Sequence, residues 1–288
     1  MRSSELQTAL ERWDARNRVP SSSNPSERSE AENVGFYDFL FQLAHNPEGR
    51  NRNPIMKTLR HPRQWLSAAL LAGLLLMAAA GALFIYLADE VGEQAWLTRL
   101  DSRAAQFFHR HGTPWLVHAF QDVTFFGSVY TLTVLGLAVA LVLCALRRWS
   151  LLLGWVAALV GTGLLNRILK EIVRRLRPKL PEPWVTEPGW SFPSGHAMGS
   201  LVAYGFLAYL LARITPAHFP RRTVIVLLAG LILLIGFSRI YLGAHFLSDV
   251  IGGYAAAAVW LTFCILMTHR TQGRAQVSRQ TGSRRSPA

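Results

Sequence analysis

At 288 residues, with 51% hydrophobic side chains and a mean hydropathy of +0.22, the chain is too apolar for an ordinary soluble domain. A formal net charge of +13 would suggest a nucleic-acid partner in a soluble protein. Here no nucleic-acid-binding module accompanies it, and much of the charge sits in tails and short loops, so no such partner is expected. Cys144 and Cys264 both lie inside apolar runs without metal-ligand spacing, which argues against a disulfide or a thiolate metal site.

Residues 1–60 are rich in Ser, Asn, Arg and Glu and read as a disordered polar extension without a cleavable signal peptide. The first apolar run must then target the chain itself. Within the extension, Phe36 to Leu43 reads as a brief interfacial helix or, more plainly, as a sticky segment of the tail. Apolar runs follow at about 65–88, 128–146, 150–168, 196–213, 223–241 and 246–268. Each approaches the roughly 20 residues that cross a bilayer, and such runs must be helical to satisfy their own backbone. The expected fold is an all-α, six-transmembrane-helix bundle over 61–268, with a disordered basic tail over 269–288.

Loop charge sets the orientation. Arg50, Arg52, Lys57, Arg60 and Arg63 precede the first run, Arg147 and Arg148 follow the second, and Arg213, Arg221 and Arg222 follow the fourth. With six alternating spans these cations share the cytoplasmic side with both termini, and an inner bacterial membrane is the expected location. Loop 89–127 falls on the outer side and reads as amphipathic helix, with Trp96, Leu97, Leu100, Ala104, Phe107 and Phe108 at helical spacing.

Three polar clusters also fall on the outer side. Lys170 and Arg177 are seven apart, two helical turns, and so share one face of the third helix before Pro178 stops it. Arg174 shares that stripe. Such a face attracts phosphate, although snorkelling cations at a helix end would look the same. Pro193-Ser194-Gly195-His196 opens the fourth helix, where free amides favour an anion. A plain cap with an interfacial histidine is the alternative for this cluster alone. In the third cluster Arg239 ends the fifth helix and Gly243 bends the chain. His245 and Asp249, four apart at the start of the sixth helix, can form a base-plus-orienter pair.

Taken together the clusters resemble the type 2 phosphatidic acid phosphatase superfamily. Its signature is Lys, six residues, Arg-Pro; Pro-Ser-Gly-His; and Ser-Arg, five residues, His, three residues, Asp. Lys170 to Pro178, Pro193 to His196 and Ser238 to Asp249 match it in order and without departure. The resemblance implies His245 as nucleophile, Asp249 as its orienter and His196 as general acid. It implies Lys170, Arg177, Ser194, Gly195 and Arg239 as the phosphate-binding set. No metal or other cofactor is expected, the cations taking a metal's place. The expected substrate is a membrane lipid phosphate such as phosphatidic acid, phosphatidylglycerol phosphate or undecaprenyl diphosphate, hydrolysed through a phosphohistidine. A lipid phosphotransferase on the same site, or a non-catalytic anion- or lipid-binding transporter, is the alternative. The soluble vanadate-dependent haloperoxidases share the motifs, but six spans argue against that class. Oligomeric state is not legible.

Overall fold

A computed structural model describes residues 62–92, 96–181, 184–216 and 219–283. The polar extension, including Phe36 to Leu43, lies outside the described residues. Those described form eight helices and no strand. They are α1 (Pro62–Gly92), α2 (Trp96–His111), α3 (Pro114–Phe125), α4 (Val129–Ala145), α5 (Trp149–Val173), α6 (Gly195–Ile214), α7 (Arg221–Tyr241) and α8 (Leu247–Ser283).

Six segments are long and apolar enough to cross a membrane: Leu70–Val91, Pro114–Ala145, Trp149–Val173, Gly195–Ile214, Arg221–Tyr241 and Leu247–Thr271. Each overlaps one of the six runs read from the sequence, but the second starts at Pro114, inside the stretch expected as an outer loop. The second is built from two helices, because the loop expected over 89–127 holds both α2 and α3. Pro114 starts α3, where its missing N–H costs nothing. After the turn at Phe126 to Ser128, the Ser128 hydroxyl caps α4 by accepting from the Thr131 amide at 3.2 Å. The segment from His269, read as tail, continues α8 as helix to Ser283. Nothing there interrupts the backbone ladder, since the next proline is Pro287.

Helix α6 lies between α5, α7 and α8, while α1 packs on α8, α3 on α7, and α4 on α5 and α6. The main core joins Trp155 and Ala158 of α5, Met198, Val202 and Phe206 of α6, and Ala257 of α8. Outward faces carry Leu75, Ile85, Leu141, Leu153, Ile172 and Val226, all exposed, a surface that lipid covers.

Small residues let these helices approach closely, as membrane bundles require. At Gly161 of α5 an added Cβ would stand 2.1 Å from Cζ2 of Trp260 on α8. That indole cannot swing away freely, because its Nε1 donates to the Ala158 carbonyl at 3.0 Å. We therefore expect Gly161→Ala to destabilise the bundle by about 1–3 kcal/mol, as overpacking of a filled core does. A lower melting temperature in detergent would register it, and an unchanged one would contradict this packing.

Candidate active site

The ends of four helices meet at one place. Lys170 is in the last turn of α5, Ser194 caps α6, Arg239 is in the last turn of α7, and Asp249 is in the first turn of α8. All eight residues singled out from the sequence lie on these ends or in the adjoining loops.

Two placements differ from the helical reading. Arg177 is not on α5, which stops at Val173 with Arg174 in a left-handed conformation at φ 51°. The residue before a proline resists α geometry, and Arg177 lies in irregular chain beyond the helix. It still converges on the site, donating through Nη1 to the Ala244 carbonyl at 2.8 Å and lying 3.2 Å from His245 Nε2. Arg174 turns away to pair with Glu171 at 3.7 Å on the surface. His245 likewise precedes α8, in the turn where Gly243 takes a positive φ of 70° that favours glycine.

The histidine is held from both sides. His245 is 1% exposed, with Nδ1 3.5 Å from Asp249 Oδ2 and 3.4 Å from the Ser191 hydroxyl. Its Nε2 faces Arg177 and the Glu187 carboxylate, the latter at 3.9 Å. The carboxylate of Asp249, fully buried, accepts from Arg175 Nη1 at 2.6 Å, the Phe246 amide at 2.8 Å and the Ser191 hydroxyl. The Ser194 amide donates to the Asp249 carbonyl at 2.9 Å, which fixes the start of α6 against the start of α8. Ser194 Oγ accepts from the Ala197 amide at 3.5 Å.

Two further cations lie close to Arg177. Lys170 Nζ donates to the Trp190 carbonyl. Arg239, 1% exposed, donates to Thr124 Oγ1 at 2.9 Å and to Glu187 Oε1. Its buried Nε finds no acceptor among the described residues. Glu187 therefore bridges two guanidiniums, since Arg177 also reaches it at 3.4 Å. Among the described residues no group of three or more His, Cys, Asp or Glu side chains is placed to hold a metal ion.

The loop groups titrate as this geometry demands. Burial pushes the Arg177 guanidinium below its usual value, with Glu187 and Asp249 opposing. Burial works against a charge on Glu187, but Arg239, His196, His245 and Arg177 outweigh it and hold the carboxyl below its usual range. Burial pulls His245 down to about 4, against the support of Asp249.

Sequence reasoning missed Glu187, Ser191, Thr124 and Asp101, and read Arg175 only as one of the outer-side cations. Only Asp101 left a readable trace. It falls on the apolar stripe of α2, in step with Leu97, Ala104 and Phe108, where a carboxylate has no place unless it is paired.

A model of the PAP2 superfamily matches residues 149–272. The chain is 37% identical, over 145 residues, to phosphatidylglycerophosphatase B of Bacillus subtilis (strain 168), covering 49% of this chain and 70% of that protein. The chain belongs to the PAP2 superfamily. It also resembles a solved transmembrane PAP2-type phosphatidylglycerolphosphate phosphatase from Bacillus subtilis. That likeness has a TM-score of 0.63 and 27% identity, over 67% of this chain and 96% of that one. Aquifex aeolicus LpxE shares 22% identity at a TM-score of 0.45, over 59% of this chain and 95% of that one. This PAP2 protein is accordingly an integral, multi-pass membrane phosphatase, a hydrolase of the lipid phosphatase family.

The burial of neutral His245 has a consequence for folding. An unfolded chain protonates this histidine below its ordinary value near 6.5, whereas the folded protein resists until about 4. Between those values the unfolded state binds more protons, so stability must fall as the pH drops through the window. Thermal melts at pH 7, 5.5 and 4.5 should show that decline, and His245→Gln should flatten it. An equal slope in the variant would remove His245 as its source.

Proposed function

We propose that this protein hydrolyses a lipid phosphomonoester through a phosphohistidine, with phosphatidylglycerol phosphate as the first substrate to test. One observation carries the reading. The Glu187 carboxylate is gripped by Arg177 and Arg239 and lies 3.9 Å from His245 Nε2, so the anionic seat faces the histidine nitrogen turned away from Asp249. A phosphoryl group in that seat would meet the donors that Glu187 now uses, together with the unpaired Nε of Arg239. Lys170, Ser194 and Gly195 complete the set.

In the reaction so read, Nε2 of His245 forms a bond to phosphorus while the bond to the lipid oxygen breaks. Asp249, on Nδ1, supports the positive charge that develops on the ring. His196 gives a proton to the departing oxygen. Water then cleaves the P–N bond, releasing phosphate and restoring His245. The cations stabilise the oxygens of the transferring group, where electrostatics supply most of the catalysis. The name of the Bacillus relative favours phosphatidylglycerol phosphate over phosphatidic acid or undecaprenyl diphosphate. Positive loops on the opposite side support an outward-facing site, cytoplasmic termini and a bacterial inner membrane.

Phosphate release from these three lipids by protein in detergent, with EDTA present, tests the reading. Release should persist under EDTA and fall at least about a thousandfold in His245→Ala, the scale of losing a nucleophile. Loss of activity on chelation, or an active His245→Ala, would sink the metal-free histidine mechanism. Transfer of phosphate to an added alcohol without release would favour the phosphotransferase.

A second test uses the seat itself. Glu187→Gln removes the competing charge, so inorganic phosphate should inhibit at about tenfold lower concentration, a change of ~1.4 kcal/mol. An unchanged or weaker inhibition would show that Glu187 does not occupy the phosphate position.

A further inference from the structure

Helix α2 lies outside all three motifs and outside the spans, yet one of its side chains is wired to the candidate nucleophile. On this amphipathic helix Asp101 and Ala105 are the buried residues, and Asp101 is 1% exposed. A carboxylate in that position requires partners. Asp101 Oδ2 accepts from Arg175 Nη2 at 2.8 Å and from the Ser248 hydroxyl, and Oδ1 accepts from the Ser248 amide at 3.1 Å. The same Arg175 donates through Nη1 to Ser248 Oγ at 2.7 Å and to Asp249 Oδ1 at 2.6 Å. Its guanidinium carbon stands 4.2 Å from the centre of the Phe246 ring, which closes its remaining face.

Charge accounting gives this chain a purpose. Asp249 faces Arg175 on one oxygen and His245 on the other. Paired with Arg175 alone, its negative charge would be spent, leaving little for a ring that turns positive during attack. A second buried carboxylate on Arg175 changes the sum. Two acids and one guanidinium leave one net negative charge, next to Nδ1. Placement matters too, because Asp101 fixes Ser248, the residue directly before Asp249.

We propose that Asp101 is a positioning residue for the reaction, sharing Arg175 with Asp249 so that Asp249 stays oriented and charged toward His245. This rests on His245 being the nucleophile. It extends the site to α2, a helix that the signature motifs leave out.

The test compares wild type with Asp101→Asn, Arg175→Lys and His245→Ala in detergent, with phosphatidylglycerol phosphate as substrate and inorganic phosphate as inhibitor. Asp101→Asn keeps the shape and one acceptor but removes the charge. Its kcat should fall roughly tenfold to a hundredfold, the range for losing an outer partner of a reacting group. KM and the inhibition constant for phosphate should stay at wild-type values, because Lys170, Arg177 and Arg239 are untouched. Loss of stability alone would lower the active fraction, not the kcat of protein counted by phosphate binding. Arg175→Lys cannot serve both carboxylates and should lose kcat in the same way, which keeps the test open if Asp101→Asn does not fold. A wild-type kcat in either folded variant, or a raised KM at unchanged kcat, overturns the proposal. If His245→Ala keeps its activity, the histidine reading itself has failed. If His245→Ala is dead while Asp101→Asn turns over normally, only the role of Asp101 has failed.

Discussion

The site depends on one fully buried carboxylate, that of Asp249. Such a charge is costly in a protein interior unless nearly every lone pair is used. Its four donors come from three stretches: Arg175 beyond α5, Ser191 in the loop before α6, and the adjacent His245 ring and Phe246 amide in the turn before α8. Its own backbone carbonyl then takes the first amide of the Ser194 turn. One residue thus ties together the three clusters that sequence reading could only set side by side. Removing any donor leaves a buried charge short of a partner, so the geometry around His245 is enforced cooperatively.

A second constraint opposes the first. Lys170, Arg177 and Arg239 crowd positive charge into a partly dry space, an arrangement expensive at a membrane surface. The bundle tolerates it because helix ends, loop carbonyls and Glu187 absorb part of the field. Carbonyls of Pro188, Gly189, Trp190 and Ala244 all accept from these cations. The protein therefore holds these positive charges in fixed orientations, which is the condition the proposed phosphoryl transfer would need.

Much of this was legible. Apolar run length found all six spans, since a bilayer leaves the backbone no choice but helix, but it placed the first part of the second, from Pro114, in a loop. The motif spacing named the residues that converge. It misjudged their local structure at Arg177, which lies beyond the left-handed Arg174 that ends α5, and at His245, which lies in the turn just before α8 starts at Leu247. Convergence survived because both residues are anchored by tertiary hydrogen bonds, Arg177 to Ala244 and the His245 amide to the Arg239 carbonyl at 3.2 Å. What stayed hidden was every partner supplied from a distance. Thr124 is 115 positions from Arg239, and Asp101 is 74 from Arg175. No local pattern encodes such pairs, and only the misfit of an acid on an apolar stripe betrayed Asp101.

The arrangement also explains where the loop between α5 and α6 is fixed and where its charge lies. Trp184 stacks on Tyr241 at 5.8 Å and lies 5.0 Å from His109, tying one end of the loop to α7 and α2. At the other end Lys170 holds the Trp190 carbonyl, and the Ser191 amide donates to the Arg175 carbonyl at 2.8 Å. Between these anchors Glu187 rests on ion pairs, with its side chain a quarter exposed. Ion pairs to an accessible carboxylate exchange readily for pairs to a phosphate, whereas the buried contacts on Asp249 do not. In the proposed reaction the same guanidiniums would exchange Glu187 for a phosphate, while the buried frame of Asp249 and Arg175 stays in place.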